Sequence, residues 1–487
     1  MMAVSLFTFR ELLRLLGVDD YGTYNVVGGV VILFSFLSNA MTQSNQRFLS
    51  YHIGKGNKGE LQRIFSMIIN VQLLLGLIIL ILAETVGLWF INTKMNFAQE
   101  KMMSVNLVYQ FSILTFIIQI LQIPYTSSIV SHERMDFFSY VSIGEALLRL
   151  GVVLALALLP SGRLVAYAML LSISALIMFL INYVYCTKKF SICKYHRFWN
   201  KAQFKELTSF SGWNMLGGLG TVGSSQGINI LFNIFCGVVV NAAMGVSHQV
   251  SAAVGSLVGN MQMAFNPQII KSYASGEIQY FNSLIFRASR ISFLLILIIG
   301  VPIIACANEI LSIWLTDVPQ YAVSFTQLTI AYCMVDSLAG PLWTANQASG
   351  RVRTYMIIVS ILILLNIPLG YLVLSKGWSP IFVMLIRVIL CFIVLNFRIF
   401  YLKNTIEFPY RQFYSSVILR AFVAFTLCIL IYYVCRDIID FTGIKQIIFL
   451  GGSLFLFTTI IGYLVLLNST ERFFITNKVK SYICKWA

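Results

Sequence analysis

Residues 16–57 read LGVDDYGTYNVVGGVVILFSFLSNAMTQSNQRFLSYHIGKGN. A turn-like polar patch, Gly17 to Gly22, is followed by an apolar run from about Tyr24 to Met41, long enough to cross a bilayer. The run ends among Asn39, Thr42, Gln43, Asn45, Gln46 and Arg47. Ser35, Asn39, Thr42 and Gln46 are spaced 4, 3 and 4 residues apart, so a helix puts them on one face. A helix surrounded by lipid has no use for such a stripe. The pattern suits a helix that faces water or a polar solute within the membrane.

The rest of the chain sets that helix among many others. Of 487 residues, 58% are hydrophobic and 11% charged, with mean hydropathy +0.83. Soluble domains carry roughly 25% charged residues. The composition therefore describes an all-α polytopic membrane protein. Runs near the ~20 residues that a spanning helix needs fall at 24–43, 64–83, 105–125, 138–159, 164–185, 211–235, 242–265, 285–305, 322–345, 354–375, 380–401, 415–435 and 445–467. Met1 to Phe9 is apolar but too short to span; it reads as the tail of a helix beginning upstream, the alternative being an interfacial anchor. No cleavable signal peptide is visible. The nine cysteines form no CxxC pair and the four histidines are scattered, so no metal site is expected.

The net charge of +16 is an orientation signal, not a nucleic-acid footprint. With the 44–63 connection placed inside, Lys and Arg in inside connections outnumber those outside by roughly three to one. The inside set includes Arg290, Arg398, Lys403 and Arg411, and the C-terminus is cytoplasmic. The longest polar connection, 188–208, carries basic residues together with Phe190, Tyr195, Phe198, Trp199 and Phe204, a composition suited to lying on anionic headgroups.

A weak internal repeat supports duplication. Asn39, Tyr51 and Gly54 are echoed by Asn260, Tyr273 and Gly276; Gln46 by Gln268; Gly17-Val18 by Gly237-Val238. Pro124 and Arg134 are echoed by Pro341 and Arg351. The expected organisation is a six-helix lobe over 1–187, a basic cytoplasmic linker over 188–208, a second six-helix lobe over 209–411, and two further helices with a basic tail over 412–487. Each lobe has an even number of helices, so the repeats are parallel and a substrate site is expected between them.

The LGVDDYGxYN start, the NQRFLSY end of the following helix, the six-plus-six-plus-two arrangement and the basic linker resemble the polysaccharide-transporter branch of the MOP (multidrug/oligosaccharidyl-lipid/polysaccharide) exporter superfamily. Within that branch they look most like the O-antigen and capsular repeat-unit flippases (Wzx type). The resemblance implies a MOP-exporter fold of 13–14 spanning helices, the first one clipped, in the bacterial cytoplasmic membrane. It also implies a flippase that moves undecaprenyl-pyrophosphate-linked oligosaccharide to the outer leaflet by alternating access. Implied partners are that glycolipid, membrane lipids, a polysaccharide polymerase and a chain-length regulator; no cofactor is implied beyond a coupling proton or Na+.

Transport of this kind needs a wet, polar path with cations for phosphate. Arg10, Arg47, Arg149 and Arg387 are the cationic candidates. Arg47 reads equally well as a positive-inside anchor. Glu145 and Arg149, four apart, can form a structural ion pair, or serve in ion coupling and phosphate binding. Arg387 has only apolar sequence neighbours. Asp336, alone in TIAYCMVDSLAGPLW, is the candidate ion-coupling carboxylate, the alternative being a helix-to-helix hydrogen bond. Asn214, Thr221, Ser225 and Asn229 share one helix face, as do Gln249, Ser256 and Asn260. With the Ser35–Gln46 stripe they are candidates for cavity lining, although Gly217, Gly218, Gly220 and Gly223 fit helix packing equally. The competing function is a cation-coupled multidrug exporter, which should hold more acids than arginines. A phosphate-binding loop of the NTPase type is not present, and the short outside loops do not suit a glycosyltransferase or polymerase, so no enzyme is expected.

Overall fold

In hydrocarbon each backbone N–H and C=O must be bonded within the chain, and this sequence meets that demand with helices alone among the described residues. The computed structural model describes residues 11–12, 14–16, 20, 24, 35–94, 101–159, 162–315, 318–406, 408–438, 443–469 and 471–473. In order these form α1 (Ser35–Gly54), α2 (Gly59–Thr93), α3 (Met102–Ser131), α4 (Met135–Ala157), α5 (Arg163–Lys189), α6 (Lys201–Cys236), α7 (Val238–Ala274), α8 (Ile278–Ala305), the short α9 (Ala307–Trp314), α10 (Ala322–Ser349), α11 (Val352–Ser375), α12 (Ile381–Ile406), α13 (Tyr410–Asp437) and α14 (Ile444–Leu466). Ten of them are long and apolar enough to cross a membrane. Two further expected spans, 211–235 and 242–265, fall within α6 and α7, long helices of 36 and 37 residues that carry polar stripes. Of the expected span 24–43, residues 25–34 lie outside the described residues and 35–43 open α1.

The chain divides into two compact units, Met1–Met215 and Leu216–Ala487. In the first, α2, α3 and α5 share a core built on Ile79, Val105, Tyr109, Ile113, Phe116 and Ala168. A π-helical turn over Ala83–Gly87 interrupts α2. Such a turn upsets the regular i to i−4 ladder. Tyr109 donates its hydroxyl to the Ala83 carbonyl at 2.8 Å there, and a Cβ at Gly87 would strike that hydroxyl.

The 188–208 segment is packed against its own unit, with Tyr195 and Trp199 left exposed. Its first half is laid along α2 of the same unit. Asn70 Nδ2 donates to Phe198 O at 2.8 Å, the His196 N–H donates to Ser66 Oγ at 3.1 Å, and Tyr195 OH donates to Asn70 Oδ1 at 3.1 Å. Ile192 and Cys193 are buried, and Phe190 stacks on His132 at 4.1 Å. Its second half opens α6 with Asn200 as cap, whose Oδ1 accepts from the Ala202 and Gln203 N–H groups.

In the second unit, three glycines bring α6 onto α11. Side chains at Gly217, Gly220 and Gly227 would collide with Met356, Ser360 and Ile367, whereas one at Gly218 would meet nothing. The C-terminal helices are fastened to α8 by charge. Arg290 Nη2 donates to Glu471 Oε1 at 2.7 Å, and both side chains are under a tenth exposed. Arg287 Nε stands 3.8 Å from the same oxygen. Glu471 Oε2 accepts from the Asn468 N–H, and Asn468 Oδ1 accepts from Arg420 Nη1. Arg290 is thus a helix residue neutralised by an acid distant in sequence.

The internal echo is also visible in the backbone. The turn before α4 puts Glu133 at φ 59°, and the turn before α11 puts Gly350 at φ 75°, each followed by the arginine (Arg134 or Arg351) that starts the helix. The turns after α1 and α7 each hold a left-handed glycine, Gly56 and Gly276, so Gly56 and not Gly54 is the counterpart of Gly276.

Removing one partner of a buried pair leaves an uncompensated charge, at a cost of about 3–5 kcal/mol. Glu471→Ala should therefore lower the detergent-solubilised protein's melting temperature by several degrees, while Arg287→Ala, whose partner is more distant, should change it little. Equal melting curves for wild type and Glu471→Ala would contradict the clasp.

Candidate functional site

A polar cavity of about 530 Å³ opens within the second unit. Five helices each give it one face at helical spacing. From α6 come Thr221, Ser225 and Ile228; from α7, Met244 and His248; from α10, Tyr332, Asp336, Gly340 and Trp343; from α11, Ile363 and Asn366; from α12, Arg387, Leu390, Cys391, Val394 and Arg398.

Its charges lie deep in the helices. Asp336 is at the middle of α10, ~20 Å of helix rise from either end, and its side chain is exposed to the cavity. Arg387 and Arg398 are three turns apart on one face of α12, ~16 Å of axial rise, about half of a ~30 Å hydrocarbon layer. The Arg387 guanidinium sits 4.4 Å from the Tyr332 ring centroid, and its Nη1 is buried with no hydrogen-bond partner. Arg398 is 8% exposed, donates Nη1 to the Ala339 carbonyl at 3.1 Å and keeps a buried Nε unpartnered. Trp343 lies 5.8 Å from its guanidinium. Tyr332 lies in the field of Asp336, Arg387 and Arg398 together, and His248 in that of Arg387. Ser225 Oγ is 3.5 Å from His248 Nε2. With a neutral histidine the lining carries two positive charges against one negative. An unpaired guanidinium N–H in a low-dielectric site binds an oxyanion strongly, because its own hydration has already been given up.

Packing behind α10 holds Asp336 in place. Gln262 of α7 donates Nε2 to the Ser337 carbonyl at 3.2 Å and to Ser292 Oγ of α8 at 3.3 Å. Gln262 occupies the space that a side chain at residue 340 would need, so Gly340 is required for this close approach.

The expected site residues separate into those the cavity gathers and those it does not. Asp336, Arg387, Thr221 and Ser225 line it. Arg387, which has only apolar sequence neighbours, faces Asp336 and Tyr332 from the adjacent helix. Arg398, counted in sequence as a cytoplasmic connection residue, is a second cavity arginine; its place three turns after Arg387 on the same face is a signal the sequence carries. His248, Trp343 and Asn366 were not expected either.

Other candidates lie elsewhere. Arg10 falls outside the described residues, as does the side chain of Ser35. Arg47 is 6% exposed and caged by the rings of Phe48, Tyr51 and Phe210 at 4.5, 4.9 and 5.2 Å, with Glu206 at 3.8 Å. It is a packed residue of the first unit, not a free cation at a mouth. Asn39 is exposed and Thr42 and Gln46 half-buried there; Thr42 Oγ1 donates to Ser38 O, and Gln46 O accepts from Ser131 Oγ. Glu145 and Arg149 pair at 2.7 Å on the flank of α4, with Arg149 62% exposed, so the pair has no deeply buried charge to neutralise. Asn214 is buried in the first unit, and Asn229 donates to Gln226 on its own helix. Gln249, Ser256 and Asn260 are exposed on α7 and are not among the cavity-lining residues.

Access of water-borne solutes to this cavity makes a testable difference. In a cysteine-depleted background, Asp336→Cys in membrane vesicles should react with a charged, water-soluble thiol reagent, whereas Leu338→Cys on the buried side of α10 should resist it. Equal resistance at both would contradict the cavity.

No family model matches the chain. A curated relative, an uncharacterized membrane protein EpsK of Bacillus subtilis (strain 168), is 21% identical over 365 residues, 74% of this chain and 71% of its own. Among solved structures, a MOP superfamily transporter from Pyrococcus furiosus, whose reverse polarity of binding pocket is said to suggest a different function, is similar with a TM-score of 0.73 at 11% identity, over 85% of this chain and 93% of that one. An outward-facing multidrug resistance MATE family transporter of the same superfamily also gives 0.73, at 12% identity, over 83% and 93%. The bent conformation of a MATE protein gives 0.67 at 14% identity, over 82% and 93%. This chain is an all-helical, multi-pass membrane protein with the fold of the MOP-superfamily transporters.

Proposed function

We propose that the chain is a transporter that carries a phosphate-bearing amphiphile across the membrane by alternating access. The substrate is a lipid-linked oligosaccharide, of the undecaprenyl-pyrophosphate type, destined for surface polysaccharide. The membrane is the bacterial cytoplasmic membrane, with the C-terminus cytoplasmic. The observation that carries this reading is the pair of cavity arginines, each with a buried, unpartnered N–H, facing a single carboxylate. A site built for organic cations would carry more carboxylates than arginines, whereas this lining carries two arginines and one carboxylate.

In this mechanism Asp336 neutralises part of the arginine charge while the cavity is empty. An entering pyrophosphate bonds the guanidinium N–H groups and neutralises the positive field on Asp336, whose carboxylate then takes a proton or Na+. Arg387 and Arg398, ~16 Å apart along α12, give the phosphates cationic stations at two depths, so the charge is not stranded in hydrocarbon. Thr221, Ser225, His248 and Asn366 offer hydrogen bonds to sugar hydroxyls, and Trp343 a flat face for a pyranose ring. The second reading, a cation-coupled multidrug exporter, draws on the MATE likeness and on the cavity-exposed Asp336. It requires the same carboxylate to bind a cationic drug beside two arginines.

Charge-assisted hydrogen bonds contribute about 1.5–3 kcal/mol each, or roughly 10–100-fold. Arg387→Ala and Arg398→Ala should each lower the flipping of a fluorescent lipid-linked oligosaccharide in proteoliposomes by such a factor. Arg149→Ala should stay within about twofold, its exposed pair contributing little. Asp336→Asn should abolish the pH or Na+ dependence of the remaining rate. Undiminished flipping in both cavity-arginine variants, with loss of drug export in Asp336→Asn, would favour the multidrug exporter.

A further inference from the structure

The back faces of the helices that carry the cavity charges bound a second space of different chemistry. A groove of about 860 Å³ lies between α8, α10, α12 and α13, lined by Phe293, Val335, Val388, Phe392, Ala421 and Phe422 among other apolar residues. At one end it shares Tyr410 and Arg411 with a smaller hollow of about 460 Å³ that also takes in Lys403, Pro409 and Gln412. This end lies at the turn from α12 to α13. The two cations are held there by one aromatic ring: Lys403 Nζ is 4.6 Å from the Tyr410 ring centroid and the Arg411 guanidinium 5.9 Å, while Arg411 Nε donates to Tyr410 OH at 3.3 Å. Both cations are exposed. Tyr414 OH donates to Asn396 Oδ1 and ties α13 to α12 along the groove floor. A long apolar trough ending in a small basic hollow has the amphipathic division of a phospholipid.

We infer that this groove binds an anionic phospholipid, with its acyl chains between α10, α12 and α13 and its phosphate on Lys403 and Arg411. Basic pockets between spanning helices are recognised sites for anionic headgroups, and apolar walls alone would not distinguish a lipid from its zwitterionic neighbours. The bound lipid lies one helix thickness from the transport charges. Val335 faces the groove while Asp336 faces the cavity, and Val388 and Leu395 face the groove while Arg387 and Arg398 face the cavity. An occupant therefore braces the two helices on which those charges are mounted. The site does not depend on which substrate the cavity carries.

Native mass spectrometry of the full-length protein in detergent tests this, with phosphatidylglycerol, phosphatidylcholine and undecaprenyl phosphate added in turn. The wild type should retain one phosphatidylglycerol in preference to phosphatidylcholine. Lys403→Glu with Arg411→Glu, both at exposed positions, should weaken that retention about tenfold or more. Ala421→Trp, which fills the trough and leaves the cations, should weaken it as well. Two results would overturn the inference: phosphatidylglycerol retained equally by all three proteins, or undecaprenyl phosphate retained at this site in place of phosphatidylglycerol, which would assign the groove to a polyprenyl chain.

Discussion

A charge within hydrocarbon must be solvated by protein, water or a ligand, and that constraint organises the second unit of this structure. Asp336, at the middle of its helix, shares one cavity with Arg387 and Arg398, which stand within the two end thirds of theirs. Each guanidinium receives part of what water would give it: Arg387 the face of Tyr332, Arg398 the Ala339 carbonyl. Each keeps a buried N–H without a partner in the chain. The contrast with Arg290 is instructive. That arginine, buried at 3% exposure, has an ion pair of its own in Glu471 at 2.7 Å and serves to fasten helices, although its Nε too has no partner. The clasp and the cavity differ in that Arg290 is closed against a carboxylate, whereas Arg387 and Arg398 line open space.

The packing follows from the same constraint. Helices in lipid gain little from burying apolar side chains against each other, so close approach must come from small residues and polar bonds. The glycines of α6 give α11 its approach, and Gly340 lets Gln262 reach over α10. The Gln262 contact fixes α10, one of the two helices whose opposite faces hold the cavity charges and the lipid groove. In the first unit the aromatic cage around Arg47 and the bonds from α2 to the 190–198 stretch do the same for the chain on either side of α6's start.

How much of this was legible in the sequence depends on range. Helix position follows from apolar runs, because a bilayer sets their length; twelve of the thirteen expected spans fall on described helices, and the first, 24–43, is described only from residue 35 onward. Asp336 and Arg387 stand out because single charges in apolar runs are conspicuous. That they meet is not legible, since α10 and α12 are separated by a whole helix and their rotation is set by packing. Arg398 and Arg290 were hidden for the opposite reason. Both lie near helix ends by hydropathy, where a Lys or Arg ordinarily marks a cytoplasmic connection, and only the helices' further extension buries them. Glu145–Arg149 was read as a pair from its i, i+4 spacing, and it is one, but spacing does not say which way the face turns. On α7, Gln249, Ser256 and Asn260 share an exposed face, while the cavity within the second unit takes the neighbouring face through His248.

The central claim is that this cavity is an anion site. Trp343, on its wall beside Arg398, is a built-in reporter. Difference fluorescence between the wild type and Trp343→Phe, during titration with undecaprenyl diphosphate and separately with a lipophilic organic cation, tests it most directly. The account predicts saturable quenching by the diphosphate that is weakened about tenfold or more in Arg398→Ala, and little response to the cation. Saturable binding of the cation with none of the diphosphate would contradict it.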